Sequence, residues 1–271
     1  MGLTAGIVVV VTAASSDAVL PQPSRDLTAR ELNGQNIYRR VCVPCHGRNG
    51  DGKGPASQAL NPRPRDFTSG LFKFGSTSGG VQPLDADLVR TVSEGVPGTW
   101  MPAWKYHLGR DEIISVVSYI KRFSDVFEEE IFEEDVLLKS TNRPAEYKAT
   151  LESVADGRKL YLKNQCVECH GQHGRGDGPS AGTHDDSWGR PILPTNLRSG
   201  VFRGGASEED IFRTLTTGLG GTPMPAYGEV VSEEDRWRLT DYIVSLRSSS
   251  SRWKSYILSR PTWEDPMQGR R

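Results

Sequence analysis

The amino-acid sequence predicts an all-α protein that is built from two tandem copies of one unit. Several motifs recur in the same order in the two halves, which indicates an internal repeat and therefore two related domains. Each half contains three segments with helix caps or helical spacing of apolar residues. Long Gly/Pro-rich loops separate these segments, and such loops in a compact domain indicate a functional role. The 271 residues are enough for two domains of about 100 residues each.

Three helices are predicted in each copy. The first begins at a capping motif, Thr28-x-x-Glu31 in one copy and Ser153-x-x-Asp156 in the other. The second is stopped by a glycine, and the third has apolar residues at helical spacing. The first helix contains a Gly-x3-Tyr motif in both copies, at Gly34/Tyr38 and Gly157/Tyr161. The predicted ranges are Thr28–Cys42, Asp85–Glu94 and Asp111–Phe123, then Ser153–Cys166, Ser207–Thr217 and Ser232–Leu246.

A CxxCH pentapeptide occurs twice and accounts for all four cysteines, as Cys42-Val43-Pro44-Cys45-His46 and Cys166-Val167-Glu168-Cys169-His170. This spacing is the attachment signature of c-type haem. Two thiols bond to the vinyl groups of one porphyrin, and the adjacent histidine then lies under the iron. A zinc site is the alternative, but its CxxC pairs usually lie about 15 to 20 residues apart. A thioredoxin-like site would need a βαβ unit, and disulfides would use cysteines scattered among loops. The motif therefore predicts two haems.

A methionine follows late in each copy, in Gly98-Thr99-Trp100-Met101-Pro102-Ala103-Trp104 and in Gly221-Thr222-Pro223-Met224-Pro225-Ala226-Tyr227. A thioether sulfur on the face opposite histidine would close the iron and raise its reduction potential. Methionine is also a common filler of apolar cores. Because Met101 and Met224 recur at matched positions in proline-stiffened loops, we interpret them as the sixth ligands.

Two further loops also repeat. A Gly-rich stretch ending in Gly-Pro follows each histidine, and Asp66-Phe67-Thr68-Ser69-Gly70-Leu71-Phe72-Lys73 corresponds to Asn196-Leu197-Arg198-Ser199-Gly200-Val201-Phe202-Arg203. The offset between the copies grows by six residues before this second loop. The second copy therefore contains an insertion around residues 184–190.

These motifs resemble those of class I cytochrome c, and the whole chain resembles tandem di-haem cytochromes c with two such domains. The resemblance covers residues 27–124 and 151–248. It implies an all-α fold in which each domain has a few helices and long loops wrapped around one covalently bound haem. It rests on CVPCHG, GDGKGP, RDFTSGLFKF and GTWMPAW in the first half, and on CVECHG, GRGDGP, TNLRSGVFR and GTPMPAY in the second.

The resemblance also implies a role for each recurring residue. The cofactors are two covalently bound haems c with their iron. The thioether-forming cysteines would be Cys42, Cys45, Cys166 and Cys169, the proximal ligands His46 and His170, and the distal ligands Met101 and Met224. A proline carbonyl often accepts the other imidazole proton in this family, and the repeat register nominates Pro64 and Pro194. No catalytic residue is predicted.

Residues 1–18 are interpreted as a secretory signal peptide or an anchor. The apolar run from Leu3 to Val11 is too short to span a bilayer, and no Lys or Arg precedes it, which departs from the signal-peptide pattern. The resembling cytochromes mature outside the cytoplasmic membrane, and no cysteine is left unassigned. We therefore expect a location in the periplasm or on the outer face of that membrane.

Residues 125–150 form an acidic linker, and residues 249–271 form a tail with aromatic and basic residues. The linker is either a docking face for a basic partner or a connector whose Phe127, Ile131 and Phe132 pack on the domains, and the second interpretation is favoured. The tail packs across a domain or binds another subunit, and the sequence does not distinguish these. The net charge of −1 gives no electrostatic basis for binding nucleic acid or an anionic membrane.

The remaining histidines and several arginines are secondary candidates. His107, His173 and His184 do not recur between the copies and are interpreted as surface residues rather than sixth ligands. Four arginines flank the predicted haem-packing loops and are candidates for pairing with haem propionates, with solvated side chains as the alternative: Arg63, Arg65, Arg190 and Arg198.

Two closed His/Met irons would exchange single electrons with little ligand rearrangement. The sequence therefore predicts an electron carrier between a dehydrogenase or quinol-oxidising complex and a terminal oxidase or reductase, either free or held in a membrane complex by the N-terminus or the tail. The alternative is a haem enzyme, a di-haem peroxidase or a thiosulfate-oxidising cytochrome. A peroxidase would lack one methionine loop and a thiosulfate site would use a spare cysteine as an unusual ligand, and the sequence has neither feature.

Overall fold

The computed structural model describes residues 26–78, 81–186, 189 and 191–247 of the chain. Those residues form eight α-helices and no β-strand, which confirms the all-α prediction. In chain order the helices are α1 (Ala29–Val41), α2 (Val43–His46), α3 (Asp85–Glu94), α4 (Arg110–Ile120), α5 (Leu151–Lys163), α6 (Cys166–His170), α7 (Glu208–Thr217) and α8 (Glu233–Ser245). Helices α1–α4 and α5–α8 repeat the same order, so the two halves are two copies of one domain.

The first and last helices of each domain pack closely at a glycine. Helix α1 packs on α4 at Gly34, and α5 packs on α8 at Gly157. A Cβ atom at Gly34 would lie 1.9 Å from Ser115 O, and one at Gly157 would lie 2.0 Å from Arg238 O. No side chain fits at either position, so the close approach of the helices requires the glycine of the Gly-x3-Tyr motif.

The tyrosine of the same motif ties the first helix to the CxxCH helix. Tyr38 and Tyr161 are almost completely buried, and their hydroxyls donate to Gly47 O at 2.9 Å and to Gly171 O at 2.6 Å. These glycines directly follow the CxxCH motifs. Burial raises the pKa of both tyrosines, so each phenol remains a hydrogen-bond donor at neutral pH.

The first helix of the second domain differs from the prediction at both ends. Thr150, not Ser153, caps α5: Thr150 Oγ1 accepts from Ser153 N at 3.0 Å, and Ser153 Oγ accepts from Thr150 N at 2.9 Å. The helix ends at Lys163 rather than Cys166, because Gln165 takes a left-handed conformation with φ of 58°. In the first domain, the predicted capping box of Thr28 and Glu31 is confirmed.

The helices predicted as second and third in each copy correspond to α3 and α4 in the first domain and to α7 and α8 in the second, and they lie close to their predicted ranges. Helix α3 has the predicted bounds, and α7 and α8 begin one residue after their N-caps, Ser207 and Ser232. The predicted stops at Gly95 and Gly218 are also confirmed, and both have φ of 67°. The α-helical part of the third helix in the first domain ends at Ile120, and a 3₁₀ turn continues it to residue 123.

The segment between the domains packs on both of them. Phe127 packs against the first core, where its ring lies 5.3 Å from that of Phe72. Leu138 joins a small core cluster with Phe212 and Trp237 of the second domain. Phe132, in contrast, is 54% exposed, so the prediction that it packs on a domain was wrong. Its neighbours along the chain are mostly charged, and they keep this part of the segment in solvent.

A buried carboxylate anchors the end of this segment on the second domain. Asp241 on α8 accepts hydrogen bonds from Arg143 Nη2 at 2.9 Å, from Tyr147 Oη at 2.9 Å and from Ser153 Oγ at 2.6 Å. The Arg143 guanidinium also lies over the Trp237 ring, 4.6 Å from its centroid. These three donors satisfy the carboxylate, and their hydrogen bonds offset part of the cost of burying it.

The predicted signal peptide at residues 1–18 and the tail at residues 249–271 lie outside the described residues. Within the described part of the chain, none of the helices has the length and hydropathy needed to cross a bilayer.

Candidate haem-binding sites

A cavity in each domain brings together the cysteines, histidine and methionine of that domain. Cys42, Cys45, His46 and Met101 line the first, and Cys166, Cys169, His170 and Met224 line the second. Their volumes are similar, about 210 and 190 Å³, as expected for two copies of one site. Most of the remaining lining is apolar and includes Leu88, Val92, Val116 and Ile120 in the first cavity and Leu197, Ile211, Leu215 and Leu239 in the second.

The Gly-rich loop after each CxxCH helix folds back onto that helix. Gly54 N donates to Cys45 O at 3.1 Å, and Gly178 N donates to Cys169 O at 3.2 Å. A Cβ atom at Gly54 would lie 2.4 Å from Pro44 O, and one at Gly178 would lie 2.3 Å from α6. The repeated Gly-Pro loop therefore supports the CxxCH helix through contacts that only glycine permits.

A backbone carbonyl fixes the ring of each motif histidine. His46 Nδ1 donates to Arg65 O at 3.1 Å, and His170 Nδ1 donates to Thr195 O at 3.0 Å. Because Nδ1 carries the proton, Nε2 retains its lone pair, which is the state that a metal ligand needs. The predicted acceptors were the carbonyls of Pro64 and Pro194, and both predictions were wrong by one residue.

Burial keeps the two motif histidines neutral and the first thiol of each CxxCH motif protonated. Burial lowers the pKa of His46 to about 4 despite the hydrogen bond to Arg65 O, and it lowers the pKa of His170 in the same way. Burial raises the pKa of Cys42 to about 12, with a further contribution from Cys45, and raises that of Cys166. Each apolar cavity is therefore lined by a neutral imidazole and by one protonated thiol, that of the first cysteine of its CxxCH motif.

A threonine holds each methionine loop. Thr99 Oγ1 accepts from Met101 N at 3.1 Å, and Thr222 Oγ1 accepts from Met224 N at 3.2 Å. Each threonine hydroxyl also donates to the carbonyl three positions earlier, at 2.7 and 2.8 Å. The repeated Gly-Thr-x-Met sequence thus encodes a small hydrogen-bonded turn that positions the methionine at the cavity.

The glycine that ends the preceding helix packs against the backbone of the methionine loop. A Cβ atom at Gly95 would lie 2.5 Å from the carbonyl carbon of Pro102, and one at Gly218 would lie 2.7 Å from that of Pro225. Both glycines also have positive φ, which disfavours any side chain. The helix stop and the position of the methionine loop are therefore coupled.

One family of proteins matches both domains. The family model described as "Cytochrome C oxidase, cbb3-type, subunit III" matches residues 29–120 and 152–243, once in each domain. The chain belongs to this family. The resemblance to tandem di-haem class I cytochromes c is thereby confirmed, and this cytochrome binds two haems c covalently.

Relatives of this cytochrome are subunits of larger complexes. The chain is 26% identical over 221 residues to the cbb3-type cytochrome c oxidase subunit FixP of Azorhizobium caulinodans, across 81% of this chain and 61% of FixP, which is less than two thirds of that protein. It is 23% identical over 254 residues to the cytochrome bc1 complex cytochrome c subunit of Corynebacterium diphtheriae, across 93% of this chain and 78% of that subunit.

A solved structure is more similar in sequence. One chain of the Kuenenia stuttgartiensis reducing HAO-like protein complex Kustc0457/Kustc0458 is 41% identical, with a TM-score of 0.74 over 82% of this chain and 97% of that chain. Together with the family match, these similarities identify the protein as a di-haem c-type cytochrome.

The first cavity of this cytochrome fits a haem with its acidic side groups. Arg63 and Arg65 both line it, and Arg63 Nε is buried without a hydrogen-bond partner among the described residues. A haem propionate would satisfy this donor. Arg198 does not line the second cavity, so this structure gives no support to its predicted propionate contact, and Arg190 lies outside the described residues.

The other histidines stay at the surface. His107 and His173 are exposed and line neither cavity. His184 is also exposed but lies at the edge of the second cavity, within the insertion that distinguishes the two copies.

Two residues of the site were not predicted from the sequence. Lys73 and Arg203 line both cavities, and they occupy equivalent positions in the repeated loop. The repeat could have indicated them, because a positively charged residue occurs at this position in both copies. Burial and the positive charges of Arg65 and Arg203 lower the pKa of Lys73 to about 8.

Proposed function

We propose that this di-haem cytochrome carries single electrons between a dehydrogenase or quinol-oxidising complex and a terminal oxidase or reductase, as a subunit of such a complex on the outer side of the cytoplasmic membrane. The observation that carries the proposal is that both cavities contain a histidine and a methionine held by matching backbone contacts. A protein with two equivalent closed sites is suited to electron transfer rather than to binding a substrate at iron.

The proposed iron ligands are His46 and Met101 in the first domain and His170 and Met224 in the second. The carbonyls of Arg65 and Thr195 would hold the imidazole rings in one orientation and increase their basicity. The threonine-held turns would keep each sulfur at the cavity in both oxidation states, which limits ligand rearrangement. The four CxxCH cysteines would form the thioether bonds.

When bound, each haem supplies an iron that alternates between the ferric and ferrous states. The chain contributes a largely apolar cavity and, beside the iron, a neutral imidazole. Both features disfavour the additional positive charge of the ferric state and so raise the reduction potential.

A role within a complex is supported by the assemblies to which the relatives belong. Two are described as subunits of an oxidase and of a bc1 complex, and the similar solved structure is a complex of two proteins. The solved structure is a reducing HAO-like protein complex, and a related arrangement would make this chain the electron-carrying subunit of a larger assembly.

The proposal is tested on detergent-solubilised membranes of the source organism. We expect the haem stain of the full-length protein to co-migrate on a native gel with a larger redox complex, and we expect that complex to reduce both haems when its electron donor is added. A chain that lacks residues 249–271 tests whether the tail holds the subunit in place. Migration of the full-length protein on its own, together with hydrogen peroxide turnover by the purified protein, would overturn the proposal in favour of a haem enzyme.

A further inference from the structure

The two haem cavities meet at one pair of cationic side chains. Lys73 belongs to the first domain and Arg203 to the second, yet both side chains line both cavities. Each follows a phenylalanine, Phe72 or Phe202, that lines the cavity of its own domain. The two residues are equivalent in the repeat, so the domains face each other through the same loop. Each domain therefore places one cationic side chain at the cavity of the other.

Backbone contacts across the domain boundary fix these loops. Gly220 N, in the turn that leads to Met224, donates to Lys73 O at 3.0 Å. A Cβ atom at Gly220 would lie 2.1 Å from Phe72 O, so the second domain leaves space for this loop only because residue 220 is glycine. In the reciprocal direction, Val201 Cγ1 would lie 3.1 Å from a Cβ atom at Gly98, in the turn that leads to Met101.

The charges in this region are predominantly positive. Arg65 and Arg63 line the first cavity next to Lys73 and Arg203, and Asp186 is the carboxylate that acts on both Arg65 and Lys73. Lys73 and Arg203 are half-buried rather than fully solvated. Partly buried cations at an apolar cavity are stabilised by anions, and the propionates are the anionic groups of a haem.

We propose that Lys73 and Arg203 form a shared cation pair that binds propionates of both haems, so that each domain supplies a positive charge to the haem of the other. The inference rests on the two bound haems and not on the proposed electron donor or acceptor. A cation beside a haem disfavours its ferric state, so the pair raises both reduction potentials together. Arg203 adds a planar fork that matches a carboxylate, whereas Lys73 acts as a point charge.

The test uses the full-length protein with both haems and the variants Lys73→Gln and Arg203→Gln. Reduction potentials are measured by spectroelectrochemical titration and assigned to each haem from the paramagnetically shifted haem-methyl NMR signals. Each variant is expected to increase the ferric-to-ferrous ratio of both haems at fixed ambient potential by about three- to tenfold, as for removal of one charge from a partly buried site. Lys163→Gln removes the same charge from the exposed end of α5 and is expected to leave both ratios unchanged.

Two results would overturn the inference. One is a shift confined to the haem of the mutated domain, which would mean that the charges are not shared. The other is a shift no larger than that of Lys163→Gln. Lys73→Arg and Arg203→Lys keep the positive charge, so they test the inference even where a Gln variant fails to mature. Both variants are expected to retain the reduction potentials of both haems. A fall in either potential as large as that of the Gln variant would contradict a role for the charge. Failure to identify a membrane complex would not affect any of these results.

Discussion

Replacing Met101 or Met224 by Ala is expected to abolish the near-infrared sulfur-to-iron band of one haem only, and to lower its reduction potential by more than about 0.1 V, within the range of about 0.8 V that axial ligands span. The reason is that each methionine lies at the cavity of its own domain, on a turn held by a threonine. Alanine removes the sulfur but keeps the backbone N–H that the threonine accepts. Visible and near-infrared spectra with a redox titration measure both effects.

Trp100→Ala is the matched control for this prediction. Trp100 precedes Met101 and lines the first cavity, but it is 74% exposed and its counterpart in the second domain is Pro223. The Thr99 hydrogen bonds that hold the turn do not involve the indole. We expect the control to retain both sulfur-to-iron bands. Persistence of both bands in Met101→Ala or in Met224→Ala would show that the sulfur is not a ligand in that domain.

Gly34→Ala and Gly157→Ala are expected to destabilise their domains by about 3 kcal/mol or more, the upper range for an added methyl in a packed core. The new Cβ atom would lie 1.9 or 2.0 Å from a backbone oxygen of the facing helix. A shift of α1 or α5 away from this contact would separate the Tyr38 or Tyr161 hydroxyl from its acceptor. Denaturant unfolding of the haem-containing protein, followed by haem absorbance and by helical circular dichroism, measures the loss.

Gly109→Ala provides the comparison within the same fold. Gly109 has φ of −66° and a Cβ atom there would meet Glu112 at an ordinary distance of 3.6 Å, so alanine fits. We expect its free energy of unfolding to stay within about 1 kcal/mol of the wild type. If Gly34→Ala were as stable as Gly109→Ala, the close packing of α1 on α4 would not determine the stability of the first domain.

The cysteines, histidines and methionines that line the cavities could be predicted because they occur in short, recognisable sequence motifs. CxxCH carries two thiols and an imidazole within one turn, and the Gly-Thr-x-Met turn recurs in both copies, so pattern and repeat were sufficient. The histidine partners were missed by one residue for a physical reason. Along an extended segment successive groups alternate in direction, so whether Pro64 or Arg65 presents its carbonyl depends on how the loop packs.

Other features depend on tertiary structure. Thr150 and Ser153 are both good capping residues, and the helix selects Thr150 because Ser153 also donates to Asp241 on α8, 88 positions away in the sequence. The positions of Lys73 and Arg203 depend on how the domains meet. A repeat alignment shows that they are equivalent, but only the folded chain shows that each one reaches the other domain's cavity.

The most direct test of the central claim is the spin state of the native ferric protein, measured by low-temperature EPR and near-infrared magnetic circular dichroism on a sample with both haems. Two closed sites with histidine and methionine predict two low-spin haems, one sulfur-to-iron band from each, and no turnover of hydrogen peroxide. A high-spin haem in the native protein, or peroxide turnover, would contradict the account.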